Sequence, residues 1–315
     1  MKLDATLNAE ENAGQGLRRD GDPPALSGAA RPGSGWLGAA AFVAQLDALS
    51  LFAATLLLLL VIGSLTQRYR PGPAGIALTE VFAILLPALL WSRSRRRQVV
   101  WLLGLRPLVA RQLLGGALLG AALFFVLAVW IEPVIERLIP VPAGERQQLL
   151  RLLHPSAGLR PLWQDLLCFA IAPAVCEEVL FRGAILAALL GRASLIAPSA
   201  GAGERPLQAA RAVLICALLF GAFHLSWAKL LPTAVLGLGF GAAAVVSRSL
   251  WPAMVMHLVN NGLVILLIRG GHEDPPLAAL SLTGVLATAA AGLLLLAGAW
   301  LCRARPEPRG SGQGA

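Results

Sequence analysis

Charged side chains are scarce in this sequence. Asp, Glu, Lys and Arg make up 14% of the 315 residues, whereas a soluble globular domain has about 25%. Hydrophobic residues account for 57% of the chain, and the mean hydropathy is +0.71. This shortage of charge excludes an ordinary soluble domain and predicts an all-α, polytopic membrane protein.

Cysteine is also rare, with four residues in the whole chain: Cys168, Cys176, Cys216 and Cys302. Their spacing is typical neither of a zinc motif nor of a disulfide framework. All four fall within apolar runs, where a free cysteine behaves as a small buried hydrophobe. We therefore predict no disulfides, and we note that Cys176 adjoins the first motif described below.

Long apolar runs are abundant, and a helix needs roughly 20 mostly apolar residues to cross the hydrocarbon core of a bilayer. We predict about eight transmembrane helices, with seven as the competing count. The first run carries Asp47, so its start could lie at the membrane interface instead. The predicted spans are residues 40–65, 73–91, 112–131, 162–190, 208–227, 230–247, 251–268 and 279–302.

The net charge of +9 could suggest a nucleic-acid partner, but the basic residues lie mainly between the apolar runs. With eight spans and the N-terminus inside, 17 of the 26 Lys and Arg residues fall on the cytoplasmic side. Such a bias follows the positive-inside rule. It predicts two cytoplasmic termini, with the lipid bilayer rather than nucleic acid as the partner.

The two ends of the chain differ from its middle. Residues 1–35 are polar and rich in Gly and Pro, which predicts a disordered cytoplasmic tail. Residues 36–302 form the predicted transmembrane domain, and residues 303–315 form a second cytoplasmic tail. Within segment 134–160, leucines alternate with Arg and Gln, a pattern that favours a short amphipathic helix on the membrane surface.

The first cluster that suggests chemistry is Glu177-Glu178, followed by Arg182, inside the fourth apolar run. Ionisable residues within a span are costly and therefore need an explanation. Glu178 and Arg182 are four residues apart, so they share a helical face and can pair. Glu177 points about 100° away around the helix. An unpaired, desolvated carboxylate of this kind suits a general base.

Two further clusters lie on other runs. Phe220 precedes His224 by four residues, and His257 precedes Asn261 by four residues. Imidazole and carboxamide groups on one helical face can stabilise an oxyanion. Each cluster also has a purely structural interpretation, because polar side chains often hold membrane helices together.

Taken together, the three clusters are harder to explain as packing alone, because they lie on three separate runs. Two of the four histidines of the chain belong to them. The other intramembrane acids, Asp47, Glu80 and Asp165, have no such neighbours in the sequence. We therefore interpret those three as interfacial or packing residues.

The three clusters resemble the motifs of the CAAX-protease and bacteriocin-processing (CPBP) family, which includes the type II CAAX-prenyl endopeptidases. That family carries Glu-Glu-x-x-x-Arg, Phe-x-x-x-His and His-x-x-x-Asn/Asp on separate membrane helices. Here the first motif runs from Glu177 to Arg182, the second from Phe220 to His224, and the third begins at His257. Their order also matches, over a core of about residues 160–268.

The resemblance implies eight helices around an intramembrane cavity and an activity as an intramembrane endopeptidase. It implies that Glu177 and His224 activate a water, and that His257 and Asn261 form the oxyanion hole. Glu178 and Arg182 would orient and support the site.

A cofactor is the open question in this interpretation. Glu177, His224 and His257 could hold zinc with an open position. However, the sequence contains no His-Glu-x-x-His, and an asparagine suits an oxyanion better than a metal. We favour a metal-free glutamate peptidase without a cofactor, and keep the zinc enzyme as the alternative.

The predicted substrate is a membrane-anchored protein or peptide, and the Ala/Arg/Leu/Gly-rich composition predicts a bacterial inner membrane location. A non-catalytic peptide-binding or bacteriocin-immunity protein is the alternative function, although a binder need not retain a general base. A proton-coupled transporter is a third hypothesis, since buried Glu and His suit a proton relay. Transporters usually have two matched halves, which this sequence lacks.

Overall fold

The structure, a computed structural model, describes residues 34–94, 104–105, 107–144, 147, 151, 160–190, 205–271 and 282–303. The chain divides into two compact units, Met1–Ala40 and Ala41–Ala315. Of the first unit, only residues 34–40 are described, and they are helical. Apart from residues 34, 35 and 303, both predicted tails lie outside the described residues.

Eight long helices make up the described part of the second unit, with no strand among the described residues. They match the eight predicted apolar runs in order and position, so the all-α prediction is confirmed. The helices are α1 (Ser34–Tyr69, shared with the first unit), α2 (Pro73–Ser94), α3 (Ala110–Leu138), α4 (162–189), α5 (Arg205–Phe223), α6 (Trp227–Ser247), α7 (Trp251–Arg269) and α8 (Leu282–Cys302).

Seven of these helices are long and apolar enough to cross a membrane, by length and composition, among the described residues. The exception is α4, which is long enough but carries Asp165, Glu177, Glu178 and Arg182. The number of candidate spans is therefore seven without α4 and eight with it, and α4 is the helix that holds the first motif.

Local π-helical turns interrupt α4 on both sides of the glutamate pair, at Leu167–Ile171 and Val179–Ile185. Single π turns inside α-helices occur often at functional sites. Pro173 follows the first of them and lacks an N–H, so the carbonyl four residues earlier, that of Phe169, loses its α-helical partner. The irregular backbone therefore flanks the segment Ala172–Glu178, which carries Glu177 and Glu178.

Glycines allow the helices around the site to approach closely. A Cβ atom on Gly120 of α3 would lie 2.7 Å from the carbonyl oxygen of Met256 in α7. A Cβ on Gly237 of α6 would lie 3.0 Å from Cα of Ala217 in α5. Each of these glycines has a second glycine four residues away, at Gly116 and Gly241, and small residues at this spacing are typical of helix–helix contacts. Because Gly120 has no side chain, α3 can contact α7 at Met256, the residue before His257.

The predicted surface helix in segment 134–160 is only partly described. Val134–Leu138 instead continues α3, which ends at Leu138 rather than at residue 131. Residues 145–146, 148–150 and 152–159 lie outside the described part of the chain, so the amphipathic helix stays a prediction.

Candidate active site

A buried ion pair forms the base of the candidate site. Arg182 Nη1 donates a hydrogen bond of 2.9 Å to Glu178 Oε1, and both side chains are fully buried. The pairing predicted from their four-residue spacing is therefore present, although Arg182 lies within a π turn. A buried pair of this kind needs further partners to offset the loss of hydration.

Helix α6 and aromatic rings supply those partners for Arg182. Its Nη2 donates to the carbonyl oxygen of Gly237 at 3.1 Å. The guanidinium carbon lies 4.4 Å from the centre of the Phe220 ring and 5.2 Å from that of Phe240. A cation over an aromatic face gains electrostatic stabilisation, and more so when it is desolvated. Arg182 thus joins α4 to α5 and α6.

His257 extends the ion pair from α4 to α7. Its Nδ1 lies 3.0 Å from Glu178 Oε1, and its Nε2 lies 4.0 Å from Glu177 Oε2. The ring stacks on Phe240 at a centroid distance of 5.1 Å. Since an ionised carboxylate only accepts hydrogen bonds, Glu178 assigns the donor role to Nδ1 and leaves Nε2 directed towards Glu177.

Glu177 is the reactive acid in the prediction, and its environment differs from that of Glu178. The residue is 8% exposed, and its Oε2 has no hydrogen-bond partner among the described residues. A buried polar atom without a partner is costly. This oxygen is therefore available to a water or a substrate.

His224 lies at the turn where α5 ends. Its Nδ1 is 3.0 Å from the carbonyl oxygen of Phe220, one helical turn earlier. The next residue, Leu225, is in the left-handed region with φ 52°, which costs a side chain about 1–2 kcal/mol. The Phe220 ring makes edge contacts with both His224 and His257, at centroid distances of 5.2 and 6.0 Å.

Asn261 is placed differently from the expectation of an oxyanion donor beside His257. Its Nδ2 donates to the carbonyl oxygen of Phe169 at 3.1 Å, a carbonyl that cannot accept from Pro173, which has no N–H. Its Oδ1 accepts a bond of 3.3 Å from the neighbouring Asn260. The structure therefore connects Glu177, Glu178, Arg182 and His257 directly, whereas Asn261 contacts the helix that carries the glutamates.

Asp165, interpreted as an interfacial or packing residue, has two charged neighbours in the structure. It is fully buried at the start of α4, with Oδ1 2.6 Å from Arg160 Nε and Oδ2 3.6 Å from Arg269 Nε. Arg269 also donates to the carbonyl oxygen of Arg160 at 2.7 Å. The contact with Arg269 could not be predicted from local spacing, because Arg269 follows Asp165 by more than a hundred residues. These contacts tie the start of α4 to the end of α7.

Glu80 was also interpreted as an interfacial or packing residue. It is buried on α2, in a π turn that packs against the α4 segment holding Glu177.

A zinc ion would need Glu177, His224 and His257 on one centre. Within the described residues, no three His, Cys, Asp or Glu side chains are arranged to hold a metal ion. His257 directs one ring nitrogen to Glu178, and His224 directs one to a backbone carbonyl. The arrangement as it stands does not fit a three-ligand site.

The comparisons with known proteins point to one family. Residues 159–263 match the family model described as Type II CAAX prenyl endopeptidase Rce1-like. No curated protein and no solved structure matches the chain. The matched segment is about a third of the chain, and it contains all three motifs with the buried Glu178–Arg182–His257 network. Over residues 159–263 the chain is therefore similar to the type II CAAX prenyl endopeptidases, which supports the resemblance to the CPBP family.

Proposed function

We propose that the protein hydrolyses a peptide bond of a membrane-anchored protein or peptide within the bilayer, and that Glu177 and His224 activate the attacking water. The observation that carries this proposal is the buried Glu177 Oε2, which has no hydrogen-bond partner among the described residues and lies 4.0 Å from His257 Nε2 in the network with Glu178 and Arg182. A general base needs a free oxygen in a dry, fixed environment.

In the proposed reaction, a water attacks the scissile carbonyl carbon and transfers a proton to Glu177, with His224 orienting the water. His257 can donate from both ring nitrogens when protonated, one to Glu178 and the other to the developing oxyanion. The amide of Asn261 has two N–H donors, and one remains beyond its bond to Phe169. Collapse of the tetrahedral intermediate breaks the C–N bond, and Glu177 returns its proton to the leaving amine.

Glu178 and Arg182 orient His257 in this proposal. Glu178 Oε1 accepts bonds from both Arg182 and the histidine, so it fixes the direction of the ring. The Arg182 bond to Gly237 and its ring contact with Phe220 hold the carboxylate in place. Such supporting partners keep reactive groups within the narrow geometry that catalysis needs.

The proposed reaction needs no metal, and this part is tested with a chelator. Peptidase activity in detergent should be unchanged after prolonged treatment with 1,10-phenanthroline and dialysis. Loss of activity that is restored by Zn²⁺ would contradict a metal-free mechanism. It would require Glu177, His224 and His257 to rearrange.

The proposed location is the inner membrane of a bacterium, with both termini in the cytoplasm. The excess of basic residues in alternate loops supports this orientation. The substrate would reach Glu177 from the bilayer, since helix α4 carries the reactive groups within the apolar part of the chain.

Comparing protein termini in cells tests the function directly. The gene is deleted and complemented with wild type, with Glu177→Gln, or with Glu132→Gln, a change at an exposed acid of α3. A peptidase predicts a terminus that disappears on deletion and returns with wild type and Glu132→Gln only. If Glu177→Gln restores every terminus, the catalytic proposal is wrong, and a peptide-binding or immunity protein takes its place.

A further inference from the structure

Asn260 is a buried polar residue beside the third motif that the proposed reaction does not use. It lies on α7 and is 6% exposed. Its Oδ1 is buried and has no hydrogen-bond partner among the described residues. Since a buried acceptor without a partner is costly, this oxygen needs an explanation.

A chain of two hydrogen bonds fixes the orientation of the Asn260 amide. The carbonyl oxygen of Phe169 can only accept, so the Asn261 group that lies 3.1 Å from it is the NH₂ group. Asn261 therefore turns its Oδ1 towards Asn260, whose Nδ2 donates to it at 3.3 Å. The Phe169 carbonyl is open to this bond because Pro173 has no N–H. The atom of Asn260 that remains is thus an acceptor and not a donor.

Asn260 lies close to the reactive groups along α7. It follows His257 by three residues, and residues at this spacing are neighbours on a helix surface, with Cβ atoms about 5–6 Å apart. His257 Nε2 lies 4.0 Å from Glu177 Oε2. Helix α7 packs against both Leu167–Ile171 and Ala172–Glu178 of α4. The free acceptor is therefore one helical turn from the histidine that contacts the proposed base.

The chemistry of this acceptor favours a main-chain N–H as its ligand. A carboxamide oxygen is uncharged and accepts from neutral donors. Every main-chain N–H of a peptide inside a bilayer needs such an acceptor, whereas an acyl chain offers no donor. An extended peptide pairs through both its C=O and its N–H groups. His257 offers a donor for the first, and Asn260 offers an acceptor for the second.

We propose that Asn260 Oδ1 accepts a hydrogen bond from a main-chain N–H of the substrate, close to the bond that is cleaved. This inference rests on the proposed function and deepens it. Binding uses an oxygen that no described residue occupies, so the bond from Asn260 to Asn261 is kept. The substrate is then an extended segment with an N–H at one fixed position. Proline at that position is rejected, because it has no N–H to donate.

Peptide binding to the full chain in lipid nanodiscs tests the proposal. The Glu177→Gln variant is the background, so that the peptide is not hydrolysed. The probe is a hexapeptide of alternating leucine and alanine with blocked ends. Its analogues carry an ester oxygen in place of one main-chain N–H at a time, which removes the donor and keeps the shape. Calorimetry measures the Kd of each analogue.

One ester analogue should bind about tenfold more weakly than the parent peptide, because it leaves the buried Asn260 Oδ1 without a partner. With Asn260→Leu, that analogue and the parent should bind alike. Gln112→Leu is the matched control and should keep the tenfold difference. Gln112 is also a buried amide, but its N–H groups donate to the carbonyls of Ser247 and Cys302. The proposal is wrong if the parent does not bind, if no analogue is weakened, or if Asn260→Leu retains the difference.

Carbon NMR gives a reading that needs no change at position 260, should leucine fold poorly there. The chain has four asparagines, and Asn260 alone follows a valine. Labelling valine carbonyls with ¹³C and asparagine with ¹³C and ¹⁵N therefore assigns the Asn260 side chain. The parent peptide should shift its side-chain carbonyl resonance, and the weakened analogue should not. An unchanged resonance at saturating peptide would overturn the proposal.

The outcome for Asn260 is separable from the outcome for the peptidase. If deletion changes a protein terminus in cells and every analogue binds like the parent, the peptidase stands and Asn260 does not bind substrate. If binding depends on Asn260 and no terminus changes, the N–H site stands and the protein binds peptides without cleaving them.

Discussion

The side-chain amide of Asn261 on α7 donates a hydrogen bond of 3.1 Å to the carbonyl oxygen of Phe169 on α4. This carbonyl lacks its usual helical partner because Pro173, four residues later, has no N–H. An interhelical bond therefore replaces a missing intrahelical one. It holds the third motif, on α7, against α4, the helix that carries the first motif.

Asn261→Asp should destabilise the protein, because a carboxylate cannot donate to Phe169. An unsatisfied buried carbonyl costs about 1–3 kcal/mol in free energy of unfolding. Thermal unfolding of the purified protein in detergent measures the change. An unaltered midpoint would show that the Phe169 bond does not contribute to stability.

Arg182→Met should be strongly destabilising, by about 3–5 kcal/mol, because it leaves Glu178 as an uncompensated buried charge. Replacing both partners with neutral residues, Glu178→Gln with Arg182→Met, should recover part of this loss. A double-mutant cycle compares the free energies of unfolding of wild type, Glu178→Gln, Arg182→Met and the double variant. Additive effects would mean that the 2.9 Å pair contributes little.

Glu177→Gln should lower kcat by about 10²–10⁴-fold while the protein remains folded, because the amide cannot accept the proton of water. Its volume is nearly unchanged, so the core around it should be undisturbed. Turnover of a substrate identified by the terminus comparison measures the effect. Glu132→Gln is the matched control, and equal activities for the two variants would exclude Glu177 as the base.

Gly120→Ala should lower both stability and activity, because its Cβ would lie 2.7 Å from the backbone oxygen of Met256, next to His257. Overpacking of this kind costs about 1–3 kcal/mol. Gly262→Ala on α7 is the control, since nothing lies within 4 Å of its Cβ. There alanine should be neutral or stabilising, by up to about 1 kcal/mol. Similar unfolding midpoints for the two variants would contradict this.

Local patterns of the sequence predicted most of the fold. Apolar runs gave the positions of the eight helices, since the bilayer requires about 20 such residues for each span. The Glu178–Arg182 pair also followed from local spacing, because residues four apart on a helix are neighbours. Seven helices have the length and composition of a span among the described residues, and α4 is not one of them, because the motif removes the apolar composition that identifies a span.

Contacts between distant segments could not be predicted in the same way. Glu178 and His257 are separated by 79 residues, and nothing in either motif specifies that Nδ1 meets Oε1. The partner of Asn261 depends on a proline in another helix. Glu80 and Asp165 were interpreted only as interfacial or packing residues, because their surroundings exist only after α2, α4 and α7 have packed.

The polarity of α4 has a consequence for how the protein is made. At a bilayer centre each Asp or Arg costs about 2.5–3.5 kcal/mol on insertion scales, and α4 carries two glutamates and an arginine close together. The groups that compensate them arrive later in synthesis, since Gly237 follows Arg182 by 55 residues and His257 follows Glu178 by 79. Helix α4 therefore settles in the membrane together with α6 and α7 rather than by itself. A nascent chain that stops before α6 would leave this helix without a stable place in the lipid.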